Sequence, residues 1–240
     1  MSCFLYSKGI KITDYIEIRV PNVGEIIENE EAFNNVVSYV VSTPYELMVP
    51  LDDAGIDFTT ITPFDVFIML FGNLKNADTS VLFGSTDFSG YRHAIDESTN
   101  ESVLIDERTG NKIDRVVHDM MCKTIRKLLH LTVNDKKPGN EEARRYMLDK
   151  ARRKMKRNRR RKKDDESPLE KYIIALVNTE QFKYDYCTVK DISIYQFYSS
   201  LKQITHKIRF DNTMYGYYSG SIKFDDISQE DKSWILTTNT

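Results

Sequence analysis

The chain has 240 residues, of which 40% are hydrophobic and 29% charged, and its formal net charge is −2. This length accommodates one large domain or two small ones, and 14 Tyr and 12 Phe exclude disorder throughout. Three Cys without a CxxC pair indicate neither a disulfide framework nor a zinc site. No segment reaches the ~18 apolar residues of a membrane helix, and the N-terminus has no secretory signal. We therefore expect a soluble protein of the cytoplasm.

The predicted elements begin with a strand. Apolar and polar residues alternate over residues 10–20, which predicts one half-buried strand that ends at Pro21. Valines at helical spacing then predict a helix over residues 36–41. A short helix opens at Pro44, and Gly55 follows it in the place of a left-handed C-cap.

A strong helix signal begins at Thr62. Its hydroxyl, the following Pro63 and the carboxylate of Asp65 match a capping box with proline at the first helical position. Residues 64–71 are apolar on almost every side. We therefore expect this helix at the centre of the first module.

The pattern changes to that of strands between residues 81 and 113. Apolar runs at 103–105 and 112–113 flank a turn that contains Gly110, which predicts a β-hairpin. A helix with one apolar face is predicted next, from about Asp114 to His130. Pro138 and Gly139 end it.

A strongly basic helix follows, capped by Asn140 and without Gly or Pro from 141 to 163. That segment has 13 Lys and Arg against 3 Asp and Glu, a net charge of +10. Residues 1–140 have 13 against 21 (net −8), and residues 164–240 have 8 against 12 (net −4). Two acidic modules therefore flank one basic rod. Residues 156–163 contain no apolar side chain, so we expect this end to fray into a linker.

The C-terminal part is predicted to be helical. Ser167 and Pro168 open a helix that runs through Val177, and an aromatic stretch follows. A longer helix carries apolar residues from Ile194 to Ile208.

The expected fold class is α+β. Residues 1–139 form a mainly helical N-terminal module with a short strand and a β-hairpin. Residues 140–166 form the basic helix and linker, and residues 167–240 form a small all-α module.

Catalytic and cofactor signatures are missing from the sequence. The four His fall in four different elements, and neither GxSxG nor a glycine-rich phosphate loop occurs. A Cys–His dyad assembled in space stays open. Adjacent carboxylates at 52–53, 164–166 and 225–226 lack the spacing of a calcium loop and suit caps or solvated surface. We predict a protein that is not an enzyme and has no metal or cofactor.

The basic run is the candidate binding site. Its candidate contact residues are Arg152, Arg153, Lys156, Arg157, Arg159, Arg160 and Arg161. Three interpretations are open: a contact to an acidic protein surface (the chain's own or a partner's), a contact to nucleic-acid phosphates, or a solvated linker. Like charges at i,i+4 destabilise a helix, and a mere linker would gain nothing from that cost. Because only Tyr146 offers a stacking surface, nucleic acid is not favoured over an acidic protein surface.

Several stretches resemble a known family. They are residues 167–186 (SPLEKYIIALVNTEQFKYDY), 194–197, 201–204, 44–48, 51–58 and 215–222, together with the basic helix. They resemble small proteins of tailed phages and prophages of Gram-positive bacteria, in a family similar to tail assembly chaperones. Such chaperones bind the tape-measure protein and help tail-tube subunits polymerise around it.

The resemblance implies phage tail proteins (tape measure and tail tube) as partners, in the bacterial host cytoplasm and away from membranes. An apolar groove for a helical partner is expected on the second module. The candidate residues of this groove are Phe182, Tyr184, Tyr186, Phe197 and Tyr198. Self-association of the chain is also open. A nucleic-acid-binding phage protein and a structural connector of the virion are the alternatives.

Overall fold

A computed structural model describes residues 4–96, 99–133, 136–161 and 167–236. Within these ranges the fold is α+β, as predicted, with nine α-helices and two small antiparallel sheets. The helices are α1 Val23–Ile27, α2 Glu30–Val41, α3 Met48–Asp53, α4 Pro63–Asn76, α5 Ser80–Phe83, α6 Arg115–Leu128, α7 Glu141–Arg161, α8 Pro168–Val177 and α9 Ile194–Tyr218. The strands are β1 Gly9–Lys11, β2 Glu17–Arg19, β3 Tyr91–Asp96, β4 Glu101–Asp106 and β5 Lys112–Ile113.

The first sheet is a hairpin, whereas the alternation predicted one continuous strand. Strands β1 and β2 pair antiparallel, with Ile10 opposite Ile18. The chain reverses between them because the Thr13 hydroxyl accepts a hydrogen bond from the Ile16 amide at 3.0 Å. The Ile12 amide closes the same turn by donating to the Ile16 carbonyl at 2.9 Å. A side-chain turn of this kind leaves the period of the flanking apolar residues unchanged, so the period does not reveal it.

The second sheet has the order β3-β4-β5. The predicted hairpin is confirmed: β4 and β5 pair antiparallel, and Gly110 in their turn has a φ of +73°. Strand β3 adds to the other edge of β4, with Tyr91 opposite Asp106. Strands were predicted from residue 81 onwards, but residues 81–83 belong to helix α5.

Helices α2, α4 and α6 build the centre of the core. The capping box at Thr62 is present, with its hydroxyl accepting from the Asp65 amide at 3.3 Å and the Asp65 carboxylate accepting from the Thr62 amide at 2.7 Å. Phe67 and Phe71 of α4 are buried, as expected. Met69 is 51% exposed, however, so one side of this helix faces solvent.

The C-terminal helices pack into the same hydrophobic core as the N-terminal module. Backbone hydrogen bonds join the two parts, from the Val23 amide to the Ile192 carbonyl at 3.0 Å and from the Ile194 amide to the Pro21 carbonyl at 2.9 Å. The Glu30 carboxylate also accepts from the Leu169 amide at 3.1 Å, at the N-terminus of α8. The apolar core is therefore continuous across the predicted module boundary.

Candidate binding site on the basic helix

Helix α7 begins as the sequence predicts. The Asn140 side-chain oxygen accepts a hydrogen bond from the Ala143 amide at 2.7 Å, which caps the helix. Glu141 and Glu142 occupy its first turn, where carboxylates favour the positive end of the helix dipole. Fraying was predicted for residues 156–163, but residues 156–161 remain helical and the described helix continues to Arg161. No Gly or Pro interrupts this segment, so it can stay helical without an apolar anchor. Residues 162–163 lie outside the described residues.

The inner face of α7 covers a satellite core of its own. Leu148 is buried, and half-buried Met147 and Ala151 lie beside it. They pack on a small cluster whose buried members are Met48, Val49, Leu51, Phe58 and Val66. This apolar stripe fixes the helix against α3 and its neighbours.

Two arginines of α7 are held by carboxylates of the N-terminal module. The Arg152 Nη2 atom lies 2.7 Å from Asp52 Oδ2 and 2.7 Å from Asp53 Oδ1. Hydrogen bonds to these carboxylates hold the pKa of Arg152 above its usual range. Arg144 approaches Asp52 at 3.7 Å and Asp57 at 3.5 Å, and its guanidinium lies 5.5 Å from the centre of the Phe58 ring. The chain's own acidic surface therefore takes up part of the basic charge.

Arg152 was one of the candidate partner-contact residues, and the structure places it in this internal ion pair. The carboxylates at positions 52 and 53 were predicted to be caps or solvated surface, and that of Asp57 was not singled out. A signal was present, because Arg144 and Arg152 are eight residues apart and so lie on one face of a helix. It pointed to no particular carboxylate, since the acidic residues of the N-terminal module are spread over many elements.

The outer face of α7 remains cationic. Lys150, Arg153, Lys154, Lys156 and Arg157 are exposed, and within the described ranges no ion pair engages any of them. Four of them form a row with the i, i+3, i+4 and i+7 spacing of one helix face. This outer row consists of Lys150, Arg153, Lys154 and Arg157, and the 67% exposed Tyr146 precedes it on the same face. The exposed Asp149 also borders this surface, whose net charge is positive. Arg159, Arg160 and Arg161 continue the helical backbone, but their side chains lie outside the described part of the structure.

The five predicted groove aromatics divide between core and surface. Phe197 and Phe182 are 0% and 8% exposed, so both belong to the core and offer no surface to a partner. Tyr198 is partly buried in the same core, and burial raises the pKa of its hydroxyl. Tyr184 and Tyr186 are exposed, and Asn178 donates to the Tyr186 hydroxyl at 3.0 Å. Helical spacing marks an apolar face without saying whether the chain itself covers it, and here the core covers Phe197.

A buried His–Cys pair lies on α6 at i,i+4. His118 Nε2 donates to the Val40 carbonyl at 2.9 Å, and Cys122 Sγ lies 3.3 Å from the same oxygen and 3.3 Å from Nε2. Burial lowers the pKa of His118 to about 4 and raises that of Cys122 to about 12. Both shifts oppose a thiolate–imidazolium pair. The geometry suits a structural contact, in which the two side chains provide hydrogen-bond partners for the Val40 carbonyl in the last turn of α2.

Other kinds of site find no support in the described ranges. No group of three or more His, Cys, Asp or Glu side chains there is arranged to hold a metal ion. Among the same residues, no helix combines the length and apolarity needed to cross a membrane.

One comparison with known proteins gives a match. Residues 161–239, which are 79 of the 240 residues, match the family model described as the YomV second domain. That family is phage-derived, and the match indicates a phage protein. No curated protein and no solved structure matches the chain.

Proposed function

We propose that this chain is a phage assembly factor that works by binding and not by catalysis. In this proposal it is a tail assembly chaperone or tail-morphogenesis factor, and the outer row of α7 holds an acidic surface of a tape-measure or tail-tube protein. The observation that carries the proposal is the arrangement of α7. Its inner face is fixed by Leu148 and Arg152, while its outer row has no anionic partner among the described residues.

Fixing the helix matters for affinity. A flexible basic segment loses conformational entropy when it binds, whereas α7 already has its helical form and its place on the body. Its side chains then stand in a fixed row, which favours a partner with complementary spacing of charge. The high density of unmatched positive charge also speeds encounter with an acidic partner.

Two further observations support a role in the phage tail. The match of residues 161–239 to a phage-derived family supports the phage setting. The resemblance to tail assembly chaperones supports the tail setting. It is carried by residues 44–48, 51–58, 167–186, 194–197, 201–204 and 215–222, together with the basic helix.

Co-expression with the tape-measure and tail-tube proteins of the same phage tests this function. We expect the chain to raise the soluble fraction of at least one of them and to co-purify with it. A variant with Lys150, Arg153, Lys154 and Arg157 replaced by Gln should lose both effects at unchanged melting temperature. The matched control replaces Lys8, Lys11, Lys183 and Lys223, which are exposed lysines on other surfaces, and should behave as wild type.

Two outcomes would contradict the proposal. One is that neither tail protein binds the wild-type chain. The other is that the control substitutions weaken binding as much as those in the outer row, since this would mean that only total charge matters.

A second candidate, nucleic-acid binding, follows from the same outer row, because phosphates also suit a row of unpaired Lys and Arg. The acidic modules oppose it by repelling phosphates within a Debye length of about 8 Å. Under the assembly-factor proposal, DNA binding at ~150 mM salt should be no tighter than the ~10⁻⁴–10⁻⁶ M of non-specific contacts. Sub-micromolar binding that depends on sequence or structure in a mobility-shift assay would replace the first candidate with this one.

A further inference from the structure

A groove runs along one flank of α7, beside the segment that leads into α3. Tyr45, Glu46, Met48 and Val49 line one wall, and α7 supplies the other. The α7 wall consists of Met147, Lys150, Ala151, Lys154, Met155 and Asn158, and Lys136 also lines the groove. The volume of the groove is about 820 Å³. The groove adjoins the outer row, because Lys150 and Lys154 belong to both, whereas Arg153 and Arg157 do not line it.

The floor and rim of this groove differ in chemistry. Met147, Ala151 and Met155 follow one another at i, i+4 and i+8, and so form a straight apolar stripe about 12 Å long. Met155 is 38% exposed, although it belongs to this stripe. Methionine side chains are flexible and polarisable, which suits them to contact apolar groups of varied shape.

Lysines run parallel to the stripe. Lys150 and Lys154 are also four residues apart, so the apolar and cationic rows keep the same spacing along the helix. Neither lysine forms an ion pair with a described residue. The acidic residue on the opposite wall, Glu46, is engaged by its own backbone, since its carboxylate accepts from the Thr43 amide at 2.8 Å. The groove therefore presents an apolar floor and a rim of net positive charge, with Lys136, Lys150 and Lys154 against the single carboxylate of Glu46.

We propose that this groove binds an amphipathic helix of a partner protein, with apolar side chains on its floor and Glu or Asp side chains against Lys150 and Lys154. Charge complementarity selects an acidic occupant, and the matched i,i+4 rows select a helical one. This inference rests on the proposed function and names the part of the partner that is held. It also moves the apolar contact surface from the second module, where the sequence predicted it, to the flank of the basic helix.

The test uses the full chain and a designed, fluorescently labelled helical peptide with Leu at i, i+4, i+7 and i+11 and Glu on both sides of that stripe. A scrambled peptide of equal composition has the same charge but no stripe. We expect the designed peptide to bind at least about tenfold more tightly than the scrambled one, measured by fluorescence anisotropy at ~150 mM salt. Equal binding of the two peptides would overturn the proposal, because it would reduce the interaction to charge alone.

Chain variants locate the site. Met155→Glu should weaken peptide binding about tenfold or more, because it places a carboxylate on the floor of the groove. The control Met69→Glu introduces the same change at an exposed methionine of α4 and should have no effect. The double variant Lys150→Glu/Lys154→Glu should no longer bind the designed peptide. It should instead bind a peptide that carries Lys in place of Glu. Unchanged binding by Met155→Glu, with the fold intact by circular dichroism, would contradict the proposal.

The two proposals fail in different ways. If the outer-row variant loses the tail proteins while Met155→Glu retains them, the assembly function stands and the groove proposal is wrong. If Met155→Glu and Lys150→Glu/Lys154→Glu lose the peptide but no tail protein binds the wild-type chain, the groove stands and the assembly function is wrong. Two further outcomes would contradict the assigned occupant. One is displacement of the peptide by a second copy of the chain. The other is its displacement by duplex DNA at a lower concentration than unlabelled peptide requires.

Discussion

Arg152 and Asp52 are 100 residues apart in the chain, and their side chains meet at 2.7 Å. Together with buried Leu148, this contact turns a basic segment into a fixed edge of the protein. Arg144 and Arg152 form ion pairs with carboxylates of the N-terminal module, while within the described ranges no ion pair engages the outer row. Both proposals use lysines of this helix that no described residue pairs with, and the groove proposal adds Met147 and Ala151 at the edge of the docked face.

The docking of α7 on the N-terminal module depends mainly on the buried side chain of Leu148. Leu148→Ala should destabilise the attachment of this helix by roughly 2–4 kcal/mol, because it removes a buried side chain from a small cluster. Hydrogen exchange of the α7 amides should accelerate accordingly, while that of α4 stays slow. Tyr146→Ala, at a 67% exposed position of the same helix, serves as the control and should cost less than about 0.5 kcal/mol. Equal effects of the two changes would mean that α7 is not docked through Leu148.

The centre of the core depends on α4. Phe67 is 1% exposed and stacks on His118, with ring centres 4.4 Å apart. Phe67→Ala should reduce the free energy of unfolding by roughly 3–5 kcal/mol in denaturant titrations, and Phe71→Ala should have a similar effect. Met69→Ala, on the exposed side of the same helix, should cost far less. A loss below about 1 kcal/mol for Phe67→Ala would place that ring at the surface.

His118 should make the protein sensitive to acid. Its folded pKa of about 4 lies below the ordinary value of 6.5, because burial disfavours the charged ring. The unfolded chain therefore takes up a proton first, so stability is complete above pH 6.5 and falls as the pH drops towards 4. The loss from this group is on the order of 3 kcal/mol at the end of that interval. His118→Gln should flatten the pH dependence of unfolding between pH 6.5 and 4, and an unchanged slope would assign the acid sensitivity to other groups.

The joint between basic helix and C-terminal module should be sensitive to protease. Residues 156–166 contain many Lys and Arg and no apolar anchor, so brief trypsin treatment should yield fragments of roughly 150 and about 75 residues. Because Leu169, Ile173 and Phe197 share the core of the N-terminal module, we expect the two fragments to elute together in native gel filtration. Resistance of the joint would contradict the prediction that it is a linker. Separate elution would show that the shared core does not hold the two parts together.

The sequence by itself determined the local features of this protein. The caps at Thr62, Asn140 and Ser167 form as expected, because each uses a side chain within three residues of the amide that it accepts from. The hairpin at Gly110 forms for the same kind of reason, since only a local backbone conformation is required. Segregation of charge was likewise visible without a structure.

Only the tertiary structure decided which faces are covered. Phe197 and Tyr186 both belong to the aromatic-rich C-terminal part, yet one is buried in the core and the other is exposed. The basic helix likewise contains Arg152 and Arg153 side by side, and only the first faces carboxylates. Helix periodicity gives the angle of a side chain around its own axis but not the elements that surround it. Those neighbours come from parts of the chain far away in sequence, and they determine which residues are left for a partner.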